Sequence, residues 1–209
     1  MAIEEPSFKV ISKTGTFEVR QYAPMLVAET TVEGDMDEAS NRGFRRIADY
    51  IFGNNQSAQS GNAAKIAMTA PVTLEPQSEK IAMTVPVGIE SSEQNKSAKI
   101  AMTAPVGIES AGNQWTVSFV MPSEYTLASL PKPLDPQVKI RELPAEKKAV
   151  ITFSGFYNEE KVKEKTQALR DWMKSRNLKS TGEPQFARYN PPWTLPFMRR
   201  NEVLIQIQE

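Results

Sequence analysis

Apolar and polar residues alternate over residues 8–13 and again over 16–22, with Thr14-Gly15 between the two runs. A period of two on either side of a glycine turn predicts a β-hairpin. Residues 25–32 continue the alternation after Pro24 as a third strand. The period then changes. Phe44, Ile47, Ala48 and Ile51 fall at i, i+3, i+4 and i+7, which is one face of an α-helix over residues 36–52. Asp35 stands at its N-cap with Glu38 three residues on, as in a capping box, and Gly53 stops it. Further along, residues 115–121 (WTVSFVM) read as a strand and 122–136 as a proline-rich connection.

The opening pattern then returns. Residues 138–143 and 148–153 read as a second hairpin around Pro144-Ala145. Asn158 caps a second helix, over 159–176, with Val162, Thr166, Leu169 and Met173 on one face. Residues 186–189 and 203–207 are closing strands. Hairpin, helix and strands thus occur twice, and two such halves pack as a closed or nearly closed sheet with two helices outside. The expected class is α+β, with pseudo-twofold halves and a core between sheet and helices. A chain of 209 residues suits one domain over 1–209.

Between the halves, one octamer recurs: KIAMTAPV from Lys65, KIAMTVPV from Lys80 and KIAMTAPV from Lys99. Three copies at unequal spacing do not make a solenoid. Alternation inside each copy fits a short strand ended by its proline. Residues 63–110, which hold the triplication, are expected to be partly an insertion, with one copy in the sheet and the others in an added hairpin or loop. The stretches between copies, residues 75–79 and 90–98, are polar.

Composition narrows the chemistry. The chain has no cysteine and no histidine. Disulfides, thiol nucleophiles, zinc fingers, Fe–S ligation and imidazole acid–base steps are therefore excluded. Lys+Arg and Asp+Glu are both 25, so the formal net charge is zero and nucleic acid is not an expected partner. The N-terminus, MAIEEPSFKV, has no basic start and no apolar core, and no run of ~18 apolar residues exists. The expectation is a protein without a membrane span, cytoplasmic, or periplasmic if a leader was removed.

Three stretches carry a resemblance to a known family. They are the helix from Asp37-Glu38-Ala39 to Tyr50, the Met-Thr-x-Pro-Val motif at 68–72, 83–87 and 102–106, and Tyr189-Asn-Pro-Pro-Trp193 followed by Arg199-Arg200-Asn201-Glu202-Val203. With residues 115–122 and Phe153-Ser-Gly-Phe156, their order and spacing are similar to the SOUL/heme-binding protein family over most of the chain. The resemblance implies a twisted, barrel-like antiparallel sheet with two flanking helices, like the effector-binding domains of multidrug-responsive activators. It also implies a hydrophobic heme site on the first helix without a strong axial ligand. Carried across, that helix presents Asn41, Phe44, Ala48 and Asp49, where animal members have Arg, Met, Met and Lys. The expected contact set is Asn41, Phe44, Arg45, Ile47, Ala48, Tyr50, Ile51 and Arg199, with Arg45 or Arg199 near the propionates.

Several residues carry two readings. Met68, Met83 and Met102 are candidate thioether ligands, and Met equally fills cores. Tyr22, Tyr50, Tyr157 and Tyr189 are candidate oxygen ligands, and Tyr equally sits half-buried with its hydroxyl bonded. Arg199 and Arg200 suit carboxylates, or brace the proline-rich turn against Glu202 and backbone carbonyls. Trp193 and Phe197 suit either covering a flat ligand or sealing the barrel end. Glu18, Glu29 and Glu33 suit a lipophilic cation if buried, or the outer sheet face if exposed. No nucleophile elbow, phosphate loop or metal cluster appears, so the expectation is a non-enzyme. It binds heme or a related porphyrin as carrier or buffer. The alternatives are an effector-binding module for another amphipathic molecule and a protein-interaction module.

Overall fold

A computed structural model describes residues 4–57, 60–77, 114–190 and 193–208. Strands β1 (Phe8–Thr14), β2 (Phe17–Tyr22) and β3 (Met25–Glu33) precede helix α1 (Met36–Phe52). Then come β4 (Asn55–Gln56), β5 (Val72–Pro76), β6 (Gln114–Val120), β7 (Lys132–Pro133), β8 (Lys139–Leu143) and β9 (Glu146–Phe153). Helix α2 (Glu159–Ser175), β10 (Gln185–Arg188), a 3₁₀ turn (Pro196–Met198) and β11 (Asn201–Gln206) complete the chain. Nine of the described strands form one antiparallel sheet in the order β1-β2-β9-β11-β10-β5-β6-β3-β8, and β4 pairs with β7 apart from it.

That order is a palindrome of the two halves once β1 is set aside. Around the β10–β5 junction, β10 matches β5, β11 matches β6, β9 matches β3 and β2 matches β8. Helix α1 packs on β6 and β3, and α2 on β11 and β9, the equivalent strands. The expected α+β class with pseudo-twofold halves is therefore observed. The junction itself is short: Phe186 lies opposite Leu74, Ala187 opposite Thr73 and Arg188 opposite Val72.

The expected second hairpin is not formed. β8 pairs with β3, whereas β9 lies between β2 and β11. The reason is in β9: Ala149, Val150 and Ile151 are successive and all buried, so both faces are covered and the strand is central. β8 is mostly exposed and takes the edge. Pro144-Ala145 is thus a crossing between the halves, matched by Ala23-Pro24 between β2 and β3.

The first octamer also differs from expectation. Only its last residue, Val72, enters β5, which continues through Glu75 and Pro76 into the stretch expected to be a linker. Before it the chain is an irregular strap. Its Ile66 N–H donates to the Ile51 carbonyl at 2.9 Å, and the Thr69 hydroxyl donates to the Val120 carbonyl. Ile66 and Ala70 are buried beneath it. The copies from Lys80 and Lys99 lie outside the described residues.

α1 begins where the Asp35 carboxylate accepts the Glu38 N–H at 2.8 Å, and ends at Gly53, whose φ of 137° favours glycine. Its apolar face is laid on the sheet: Ile47 and Ile51 are fully buried, and the Phe44 ring meets Phe119 at 5.4 Å. Gly43 permits this approach. A Cβ there would stand 2.6 Å from the Val117 Cβ. No described helix is long and apolar enough to cross a membrane.

Gly43→Ala should therefore destabilise the fold. Helix propensity favours alanine by about 1 kcal/mol, but overpacking against a central strand costs about 1–3 kcal/mol. Urea unfolding should show a lower midpoint with an unchanged slope, and a raised midpoint would refute the close approach.

Candidate functional site

α1 buries eight residues and α2 only two, Leu169 and Met173. Both α2 anchors are in its C-terminal half, where Trp172 also stacks on Phe17 at 5.1 Å and 7°. The N-terminal half of α2 stands off the sheet, with Val162 and Thr166 half-buried. Beneath it lies a cleft of about 600 Å³, within the size range of small-molecule sites. The floor is the sheet junction, through Leu74 and Phe186, with Val203 beside them. Trp115 and Met36 form the far wall, at the start of α1, and Val162, Thr166 and Arg170 form the near wall. The Trp115 indole N–H donates to the Gly34 carbonyl at 3.1 Å, which fixes the ring there.

The cleft has an apolar base and charged rims. Lys163 pairs with Glu159 at 2.6 Å. Arg170 is exposed and makes no ion pair among the described residues. This arrangement can hold a flat apolar body and meet an anionic group at the edge. A hollow of about 850 Å³ on the opposite sheet face is larger but polar. Its side chains largely satisfy one another: Arg141 pairs with Glu29 at 2.9 Å, and Gln185 donates to Glu75 at 3.0 Å. We therefore place the candidate site in the interhelical cleft.

The residues expected from sequence are not gathered there. Phe44, Ile47, Ala48, Tyr50 and Ile51 face the sheet and the core, not an open surface. The Tyr50 hydroxyl donates to the Pro131 carbonyl at 2.7 Å, and burial pushes its ionisation well above the ordinary range. Asn41 and Arg45 are exposed on the other side of α1. Arg199 donates to the Thr194 carbonyl at 2.8 Å and lies over the Phe156 ring at 5.3 Å. No described cavity joins it to α1. The helix meets the cleft only through Asp35 and Met36. Sequence reasoning passed over Trp115, Leu74, Phe186 and Arg170. The one signal was Thr166, a hydroxyl in the middle of the apolar face of α2.

Met68, from the first octamer, is exposed. Glu33 is exposed and accepts from Gln114 at 3.2 Å. Glu18 is buried, contrary to the outer-face reading, but it is paired with Arg20 at 2.6 Å and with Lys13 at 2.8 Å. It belongs to a buried network. Glu202, 1% exposed, accepts from both Arg20 terminal nitrogens at 2.8 and 3.0 Å, from the Tyr189 hydroxyl at 2.7 Å and from Thr152 at 3.3 Å. Every group in this set is bonded, so it reads as structure rather than as a site. Arg200 lies 3.6 Å from the Tyr189 ring centroid and is paired with Glu5.

The network has a measurable signature in alkali. Burial pushes the Tyr22 phenol from 10.0 up to about 12, against the smaller opposing pull of Arg20. Burial, with Glu202 nearby, also raises Tyr189. The unfolded chain ionises first. Stability from the neutral phenol is thus complete below pH 10.0 and is lost as pH rises through about 12. Thermal midpoints should hold from neutral pH to about 10 and then fall, with a shallower fall in Tyr22→Phe. Equal slopes in the two proteins would remove Tyr22 from the explanation.

No curated protein matches the chain. Among solved structures, the EcmrR C-terminal domain is similar at 10% identity and a TM-score of 0.57, over 92% of this chain and 97% of that one. An uncharacterised conserved protein from Listeria innocua matches at 12% identity and 0.56, over 92% of both chains. A hydrolase from Listeria innocua matches at 9% and 0.54, over 95% of this chain and 94% of that one. Identities this low establish a shared fold and nothing more. The profile of the SOUL heme-binding proteins matches residues 3–206, nearly the whole length, and on that match the chain belongs to the SOUL heme-binding protein family.

Proposed function

We propose that the protein is a non-enzymatic tetrapyrrole binder, a carrier or buffer of heme or a related porphyrin, and that the macrocycle enters the interhelical cleft. The observation that carries this reading is the cleft itself: an apolar floor of Leu74, Phe186 and Val203, an indole wall, and Arg170 at the rim. Family membership supplies the ligand class. The macrocycle's flat faces would lie between Trp115 and α2, and its carboxylates would meet Arg170. Apolar burial at ~25 cal/mol per Å² would supply most of the affinity.

The residues present fit the macrocycle and its carboxylates better than they fit strong iron ligation. The chain has no histidine or cysteine, and among the described residues the methionine that lines the cleft is buried Met36. Binding should consequently depend on shape more than on the metal. Zinc and metal-free protoporphyrin should bind within about tenfold of heme, a difference of ~1.4 kcal/mol. The same cleft would suit another amphipathic anion if porphyrins fail, and the titration decides between them.

Hemin titration should give a saturable Soret shift. Thr166→Trp, which fills the cleft, should weaken binding by at least about tenfold, and Arg170→Glu, on the exposed rim, by about tenfold. Phe44→Ala should instead cost about 3 kcal/mol of stability, because Phe44 packs on Phe119. Non-stoichiometric hemin absorbance, or both cleft variants binding as wild type, would overturn the reading.

A further inference from the structure

The loop before β11 carries an exposed apolar cluster that the cleft does not use. Trp193 is 83% exposed and Phe197 73%, with Leu195 and Met198 exposed beside them. Phe156, 71% exposed, comes from the loop after β9. The two loops are one unit: the Gly155 N–H donates to the Pro196 carbonyl at 3.0 Å, and the Asn201 side chain donates to the Gly155 carbonyl at 3.1 Å. Within the 3₁₀ turn, Met198 and Arg199 N–H groups bond Leu195 and Pro196 carbonyls at 2.9 and 3.1 Å. A turn fastened in this way holds its large side chains out in water instead of letting them fold back. Soluble surfaces rarely keep such a cluster without a use for it.

We propose that this loop pair is a membrane-surface anchor that seats in the interface of a bilayer containing anionic lipid. Three observations select a lipid surface over a protein groove. The cluster projects: none of Phe156, Trp193, Leu195, Phe197 and Met198 lines a described cavity, so it forms a knob and not a receptacle. Its composition is a tryptophan with phenylalanine, leucine and methionine, and amphipathic rings of this kind favour the headgroup level. Its base carries guanidiniums, Arg199 against the Phe156 ring and Arg200 two residues before the buried Glu202, which complement lipid phosphate. Glu5 and Glu202, the two acids beside Arg200, are each already engaged, Glu202 also by Arg20. Insertion of this depth needs no spanning helix.

The test uses the full chain without hemin, so its outcome is read separately from the cleft titration. The protein should float with phosphatidylcholine vesicles containing phosphatidylglycerol, and less with phosphatidylcholine alone. Trp193→Ser with Phe197→Ser should lower the partition coefficient by about a hundredfold. The thermal transition should not move, because both side chains are exposed. Brominated lipid should quench tryptophan emission in wild type but not in Trp193→Phe, which retains Trp115 and Trp172. Absence of flotation, or equal flotation of the double variant, would overturn the proposal. A dimer in solution that the double variant abolishes, without flotation, would assign the cluster to a second copy of the chain instead.

Discussion

Three residue pairs hold the two halves of the sheet together. Where β5 meets β10, Leu74 faces Phe186, and these two side chains reach the helical side of the sheet, while Ala187 packs on the other side with Ala70, Val150 and Leu204. The order of the remaining strands, the seats of both helices and the floor of the cleft are referred to this seam. A junction with so few ladder bonds needs support from elsewhere. It comes from β6 and β11, each of which pairs along the outer side of a seam strand. It comes also from Gln185, whose amide bonds Glu75 across the seam and whose carbonyl accepts from Lys148.

The halves repeat in order but not in packing. α1 is pressed onto β6 until only glycine fits at position 43, and its apolar face has no room for a guest. α2 is fastened at one end, by Leu169, Met173 and the Trp172–Phe17 stack, and leaves space at the other. On the far face the buried Arg20–Glu202 pair spans β9, joining β2 to β11 with all its acceptors satisfied. Such a pair is weak evidence for net stability, but losing one partner would strand the other charge out of water. It ties β2 to β11 across β9.

Much of this architecture is legible in residue patterns. Both helices start at their expected caps, Asp35 and Asn158, because a side-chain acceptor three residues before a free N–H is a local device. The first hairpin is local too, closed at Gly15. Strand pairing between distant segments is not local, and the expected partnership of β8 with β9 failed for that reason. Two apolar runs beside a two-residue link look like a hairpin whether or not they pair. Only the double-sided burial of Val150 and its neighbours decides the matter. The expected contact set on α1 and the candidate cleft differ on the same grounds. Periodicity identifies the apolar face of α1 but does not say that the sheet occupies it, nor that the equivalent face of α2 stays partly open.

The octamer gives the seam an unusual competitor within its own chain. Beyond each copy the sequence continues in the same sense: Val72-Thr-Leu-Glu, Val87-Gly-Ile-Glu and Val106-Gly-Ile-Glu. The first occupies the seat, with Leu74 buried and the Thr73 hydroxyl bonded to Ser118 on β6. The other two offer an isoleucine of similar size and the same glutamate. Both have glycine where Thr73 stands, which lacks the hydroxyl and loses more freedom on entering a strand. Thr73, Leu74 and Pro76, where the other two have glycine, isoleucine and serine, thus distinguish the segment in the sheet from its two near-copies. Repetition of that segment leaves these few differences to specify which stretch pairs and in which register.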